Sequence, residues 1–105
     1  MYSLQRKGPA MSASSEQIAE EYVVLPADLH ARPAGQVTKA ASAYDAQVWL
    51  TAGDRTEVDA RSVLAVMGLG AVTGQSVRVR AEGNQAVEAV AGVVSVLSAA
   101  EAVAG

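Results

Sequence analysis

Hydrophobic and polar positions along this chain alternate in short runs and then recur at helical spacing, which predicts strands followed by helices. Residues 22–25 form a β-rich run that Pro26 ends, and they predict a first strand. A helix is predicted from Ala31 to Tyr44, with Pro33 in its first turn, where backbone N–H groups have no intrahelical partner. Its apolar positions share one face: Ala34, Val37, Ala41 and Tyr44.

Three further strands are predicted from period-two alternation. Residues 47–51 form a strand with Trp49 on its outward face, residues 52–55 form a turn, and residues 56–59 return as the next strand. Residues 76–82 alternate most clearly, with valine and alanine on one side and arginine on the other. This alternation is typical of an antiparallel sheet that has one face open to water.

Two more helices are predicted after the hairpin. Ser62 precedes a short apolar run at 63–67, which Gly68 and Gly70 end. A final helix follows the turn at 83–84, and its apolar stripe is predicted to be Val87, Val90, Ala91, Val94 and Leu97. The element order is therefore β-α-β-β-α-β-α.

This order predicts an α+β fold: an open-faced two-layer sandwich with a four-stranded antiparallel sheet and three helices on one face. The outer face of the sheet is expected to be polar. Trp49 is expected to contact Arg78 or Arg80 there, with the guanidinium over the indole ring.

The composition supports one small domain with an aliphatic core. The chain has 105 residues, 50% of them hydrophobic, yet it has no Phe and one Trp. The net charge of −3 and the absence of a basic cluster argue against nucleic-acid binding. With no Cys and one His, we expect no disulfide, no metal site and no cofactor. No run approaches the ~18 apolar residues of a membrane span, and a cytoplasmic monomer is expected.

The first residues differ from the rest of the chain. They contain Arg-Lys-Gly-Pro at 6–9 and a small polar stretch at 12–15, without the apolar run of a secretory signal. We expect a disordered N-terminal extension over residues 1–19 and a folded domain over residues 20–105.

The single histidine, His30, lies at the predicted start of the first helix. A helix N-terminus presents unpaired N–H groups and a partial positive charge, which attract phosphate and favour the neutral, nucleophilic imidazole. Arg32 follows two positions later and can bind phosphate through two hydrogen bonds. This combination is suited to accepting and releasing a phosphoryl group.

Two blocks carry a family resemblance. The run Leu-His-Ala-Arg-Pro-Ala at 29–34 and the run Arg-Ser-Val-Leu-Ala-Val-Met-Gly-Leu-Gly at 61–70 occur in the expected element order. Together they resemble the histidine-containing phosphocarrier protein HPr of the bacterial phosphoenolpyruvate-dependent sugar phosphotransferase system. Further matching positions are Lys39, Tyr44, Gly74, Glu82 and Gly83. The resemblance covers about residues 21–100 and implies the HPr-like sandwich.

The resemblance implies a transfer site. His30 would be phosphorylated at Nδ1 by enzyme I and would pass the phosphoryl group to a sugar-specific enzyme IIA. Arg32 would neutralise the phosphate, and the backbone of Ala31 and Arg32 would donate to it. The chain would then be a phosphoryl-group carrier and not a stand-alone catalyst. The residues implied in partner docking are Val63, Leu64, Met67, Leu69 and Lys39.

Ser62 has two interpretations. A serine before a short helix is ordinarily an N-cap, which contributes about 1 kcal/mol. The family resemblance adds regulatory phosphorylation by an HPr kinase, which blocks transfer in some bacteria.

Two residues depart from the family pattern. Ala27 stands where the family often has Asn or Ser, and Asp28 stands where it usually has Gly. A carboxylate at 28 would repel an incoming phosphoryl group by about 1 kcal/mol, cap the helix, or favour the charged imidazole. The sequence leaves these effects open.

Other functions also stay open. One is an HPr-like regulatory module that binds a kinase or a transcription factor and transfers little. Another is a carrier of a dihydroxyacetone-kinase or nitrogen-linked phosphotransferase branch. An enzyme acting on a small molecule is disfavoured, because one histidine without paired carboxylates gives poor acid–base machinery.

Overall fold

A four-stranded antiparallel sheet carries the three helices of the described residues on one face. The structure is a computed structural model and describes residues 17–100. The strands lie in the order β1-β4-β2-β3. The elements are β1 (Gln17–Val24), α1 (Ala31–Ser42), β2 (Gln47–Ala52), β3 (Val58–Asp59), α2 (Val63–Gly68), β4 (Ser76–Gly83) and α3 (Ala86–Ala99). The predicted α+β fold and element order are confirmed.

The core between the sheet and the helices is aliphatic, as the composition predicts. Alternation along β2 and β4 places six fully buried side chains on the inner face: Val48, Leu50, Ala52, Val77, Val79 and Ala81. The predicted face of α1 packs against them, with Tyr44 partly buried at its end. Burial of each Val or Leu side chain contributes about 1.5–3 kcal/mol, so this layer supplies much of the driving force for folding.

The buried face of α3 differs in part from the predicted stripe. Val87 and Ala91 are exposed, whereas the buried positions are Ala86, Ala89, Val90, Val93 and Leu97. The helix is apolar on nearly every side, so periodicity alone did not select the packed face. No helix among residues 17–100 combines the length and apolar character needed to cross a membrane.

β1 begins at Gln17, earlier than the domain start predicted at residue 20. Its first half is largely exposed and does not alternate between buried and exposed positions, which hides the strand pattern in the sequence. Pairing with β4 holds it in place, and Arg78 donates to Glu20 at 3.2 Å. Residues 1–16 of the predicted extension lie outside the described residues.

The outer face of the sheet carries a network of ion pairs. Glu57 accepts hydrogen bonds from Arg78 and Arg80, both at 3.1 Å. The hydrogen bonding from Arg80, with the charges of both arginines, holds the pKa of Glu57 below its ordinary value of 4.5. The Arg80 guanidinium lies 4.3 Å from the centroid of the Trp49 ring, which confirms the predicted cation–π contact.

Gly83 lies where the end of β4 meets the loop between α1 and β2. Its φ is +138°, and a Cβ at this position would lie 2.9 Å from the Cα of Ala46. The neighbouring turn is fixed, because the Gln85 N–H donates to the Asp45 carbonyl at 2.9 Å and the Asp45 N–H donates to the Gln85 side chain at 2.7 Å. The backbone at this contact leaves no room for a side chain.

Gly83→Ala is therefore expected to lower the free energy of unfolding by about 2 kcal/mol, from backbone strain and overpacking. Gly35→Ala is the control, because nothing lies within 4 Å of its Cβ position. In a helix interior that change is expected to stabilise by up to about 1 kcal/mol. Urea unfolding followed by circular dichroism measures both. Equal effects of the two substitutions would contradict the proposed close contact.

Candidate functional site

The segment between β1 and α1 alternates between buried and outward-facing side chains. Leu25, Ala27 and Leu29 are buried in the core. Asp28 and His30 reach the surface on either side of Leu29, and the His30 N–H donates to the Asp28 carbonyl at 3.0 Å. Ala27 is fully buried, so it offers no polar group to a phosphate.

Backbone hydrogen bonds attach this segment to the loop between α2 and β4. The Leu25 N–H donates to the Gln75 carbonyl at 2.9 Å, and the Gly74 N–H donates to the Leu25 carbonyl at 2.8 Å. The Leu29 N–H donates to the Ala71 carbonyl at 3.0 Å. These bonds fix the position of the residue that follows, which is His30.

His30 is the N-cap residue of α1, as predicted. Its backbone is extended, with φ −78° and ψ −173°, and its carbonyl accepts from the Ala34 N–H at 2.9 Å. The imidazole makes no capping hydrogen bond and is 67% exposed. The first-turn N–H groups of Ala31 and Arg32 have no intrahelical partner, and Pro33 has no N–H. The structure therefore presents an accessible imidazole at an anion-binding helix end.

Two cations lie along the exposed face of the same helix. Arg32 and Lys39 are separated by seven positions, about two turns, and both are exposed. Among residues 17–100 neither forms an ion pair, whereas Arg61, Arg78 and Arg80 each do. This face of α1 is thus available to a phosphate or an acidic partner.

The apolar residues of α2 form an exposed patch beside His30. Leu64 is 81% exposed, and Val63 and Met67 are also exposed. Met67 and His30 line one shallow cleft of about 160 Å³. The prediction that Leu69 belongs to this patch does not hold for its side chain, which is 3% exposed and lies in the core cluster. The surface left for the predicted docking patch therefore consists of Val63, Leu64 and Met67.

Arg55 makes a contact that the sequence did not indicate. Its guanidinium donates to the Leu69 carbonyl, just after α2. This bond ties the turn between β2 and β3 to the end of the docking helix. An arginine in a polar turn carries no local sign of such a role, because its acceptor lies 14 residues away in the chain.

Asp28 is held by Thr73. The Asp28 Oδ1 atom accepts from the Thr73 N–H at 2.7 Å and from the Thr73 hydroxyl at 2.9 Å. These hydrogen bonds hold the pKa of Asp28 below its ordinary value of 3.8, so the carboxylate is charged at pH 7. Its other oxygen, Oδ2, lies 3.5 Å from Nε2 of His30. Asp28 does not cap α1, which excludes one of the roles left open by the sequence.

Comparison with known proteins now identifies the family. The family model described as the PTS HPr component phosphorylation site matches residues 19–99. The chain belongs to the HPr family. Residues 19–99 contain both the His30 segment and the docking patch.

Similar HPr-family proteins come from several organisms. The phosphocarrier protein HPr of Haloferax volcanii is 44% identical over 81 residues, which is 75% of this chain and 91% of that protein. The phosphocarrier protein NPr of Klebsiella oxytoca is 37% identical over 71 residues, covering 68% of this chain and 79% of that protein. The crystal structure of HPr from Bacillus anthracis is similar with a TM-score of 0.70 at 26% identity, covering 77% and 98% of the two chains.

Ser62, which resembles the regulatory serine of the HPr family, is the N-cap of α2. Its hydroxyl oxygen accepts from the Ala65 N–H at 3.1 Å, and its own backbone N–H donates to the Asp59 carbonyl at 3.1 Å. The capping interpretation is therefore confirmed. Because α2 has only six residues, one lost cap bond affects a large share of its stability.

Ser62→Ala is expected to destabilise the protein by about 1 kcal/mol, since it leaves the Ala65 N–H without its acceptor. Ser62→Asp keeps an N-cap acceptor and is expected to restore most of that loss. Chemical unfolding of the three proteins measures the difference. A stability of Ser62→Ala equal to the unsubstituted protein would show that the cap contributes nothing.

Proposed function

We propose that the protein is a phosphocarrier that accepts a phosphoryl group on Nδ1 of His30 from enzyme I and passes it to an enzyme IIA. The observation that carries this proposal is the exposed imidazole at the N-terminus of α1. Membership of the HPr family supports the same assignment.

The chemistry needs little beyond placement and charge neutralisation. The Nδ1 lone pair attacks phosphorus as the P–N bond to the donor histidine breaks, and that electron pair leaves on the donor nitrogen. Arg32 and the first-turn N–H groups of Ala31 and Arg32 stabilise the charge on the phosphoryl oxygens. Delivery to an acceptor histidine is the same exchange in reverse. A shallow, exposed site suits a carrier, because it holds the group without enclosing it.

The docking patch supplies contact with both partners. Val63, Leu64 and Met67 are exposed apolar side chains next to the nucleophile, and exposed clusters of this kind mark interaction sites. Lys39 adds a positive charge on the neighbouring helix. Phosphorylation of Ser62 by an HPr kinase would place about two negative charges at the edge of this patch and reduce docking.

The branch of the phosphotransferase system is a separate part of the proposal. We assign the sugar branch, and a nitrogen-linked branch is the alternative that the NPr relative supports. A panel of acceptor proteins separates the two. Fast transfer to a sugar-specific enzyme IIA supports the assignment, and transfer confined to a nitrogen-linked acceptor overturns it.

Incubation with phosphoenolpyruvate and enzyme I is expected to add one acid-labile phosphoryl group to the protein. His30→Ala is expected to abolish the addition. Arg32→Lys keeps the charge but loses the bidentate hydrogen bonding to phosphate. The rate of phosphorylation of this variant is therefore expected to fall about tenfold. Intact-mass spectrometry at neutral pH follows all three proteins. No labelling by a cognate enzyme I would reject the carrier function in favour of a regulatory binding module.

Leu64→Ser tests the docking patch. Burying an exposed leucine at an interface is worth about 1.5–3 kcal/mol, so the KM for this protein in phosphorylation by enzyme I is expected to rise at least about tenfold. Ile18→Ser is the matched control, because Ile18 is 74% exposed at the far end of β1. Initial rates at varied carrier concentration measure KM. Equal KM values for the two substitutions would remove α2 from the interface.

A further inference from the structure

A carboxylate lies beside the imidazole nitrogen that is not the proposed nucleophile. The Asp28 Oδ2 atom lies 3.5 Å from Nε2 of His30, while Oδ1 is occupied by both donors of Thr73. Nδ1, the other ring nitrogen, is the proposed nucleophilic atom. Asp28 and His30 both reach the surface, on either side of the buried Leu29.

We propose that Asp28 is a positioning residue that keeps the neutral imidazole of His30 protonated on Nε2 and leaves the Nδ1 lone pair free. The role in phosphoryl transfer rests on the proposed function. The effect on the imidazole itself does not.

A carboxylate only accepts hydrogen bonds, so the ring nitrogen that faces it carries the proton. A separation of 3.5 Å is long for a full hydrogen bond, and contacts of this kind shorten when a catalytic complex forms. Thr73 limits the movement of the carboxylate through two hydrogen bonds. Asp28 is thus held on the Nε2 side of the ring rather than free to rotate towards an incoming phosphoryl group.

The proton balance of the transfer explains why this matters. When Nδ1 carries no proton, its lone pair forms the new P–N bond directly as the donor P–N bond breaks. The Nε2 proton stays where it is, and no base is required. When the proton lies on Nδ1, it must first move to solvent or to Nε2. Any increase in the Nδ1-protonated population therefore removes reactive protein.

Asp28→Asn replaces the hydrogen-bond acceptor beside Nε2 with a donor. It keeps the shape of the side chain and its attachment to Thr73. The backbone N–H of Thr73 can only donate, so the Asn oxygen must face it. The Asn NH₂ group then faces Nε2 and favours a lone pair there, which moves the proton to Nδ1. Asp28→Ala is the matched control, since it removes the same charge but places no donor beside the ring.

Long-range ¹H–¹⁵N NMR of the unphosphorylated protein, at a pH where His30 is neutral, reports the tautomer ratio. Asp28→Asn is expected to raise the fraction protonated on Nδ1 above that in both the unsubstituted protein and Asp28→Ala. The ratio is expected to change about twofold to tenfold, the range that one modest hydrogen bond controls. Because no partner is present, this result stands even when enzyme I fails to label the protein.

The phosphorylation rate gives the second readout. Asp28→Asn is expected to react more slowly than Asp28→Ala, in proportion to their fractions protonated on Nε2, although both lack the carboxylate charge. If Asp28 serves only to hold the Thr73 loop, Asp28→Asn retains that attachment and matches the unsubstituted protein in tautomer ratio and rate. That outcome overturns the inference, as does an Asp28→Asn protein whose tautomer ratio equals that of Asp28→Ala.

Discussion

The pairing of residues 25–29 with residues 71–75 is the constraint on which the site depends. Three backbone hydrogen bonds join the two segments, and alternate side chains of the first segment are buried. The pairing sets where α1 begins, and so where His30 is presented. It also brings the loop after α2 beside the same residue, which places Met67 and Thr73 within reach of one surface. Loss of this pairing would separate the nucleophile from its docking patch.

The charges of the molecule are divided between two faces. On the outer face of the sheet, Arg78 and Arg80 are bound to carboxylates, and the hydrogen bonds that Arg80 donates to Glu57 and Glu82 raise the pKa of its guanidinium. On α1, Arg32 and Lys39 have no ion pair within residues 17–100. Two positive charges without an ion pair within residues 17–100 therefore lie on the helix that begins next to His30.

The sequence predicted those elements in which polar and apolar positions contrast sharply, such as α1 and β4. It was only partly right on α3, because valine and alanine occupy nearly every side of that helix and only tertiary packing selects the buried face. The family resemblance also implied Leu69 in the docking surface, whereas its side chain is buried where the chain turns into the core after α2. The contacts of Arg55 and Thr73 were missed for a related reason. Each joins segments far apart in the chain, and no local pattern encodes them.

The exposure of His30 on a single face has a kinetic consequence. In the proposed function the phosphoryl group enters and leaves through one atom, flanked by one apolar patch, so a donor and an acceptor would compete for the same surface. Their complexes with a carrier of this kind are mutually exclusive. The carrier must therefore dissociate from one partner before it binds the other. Flux through such a carrier then depends on how quickly each partner dissociates, and tighter binding to either one slows the whole relay.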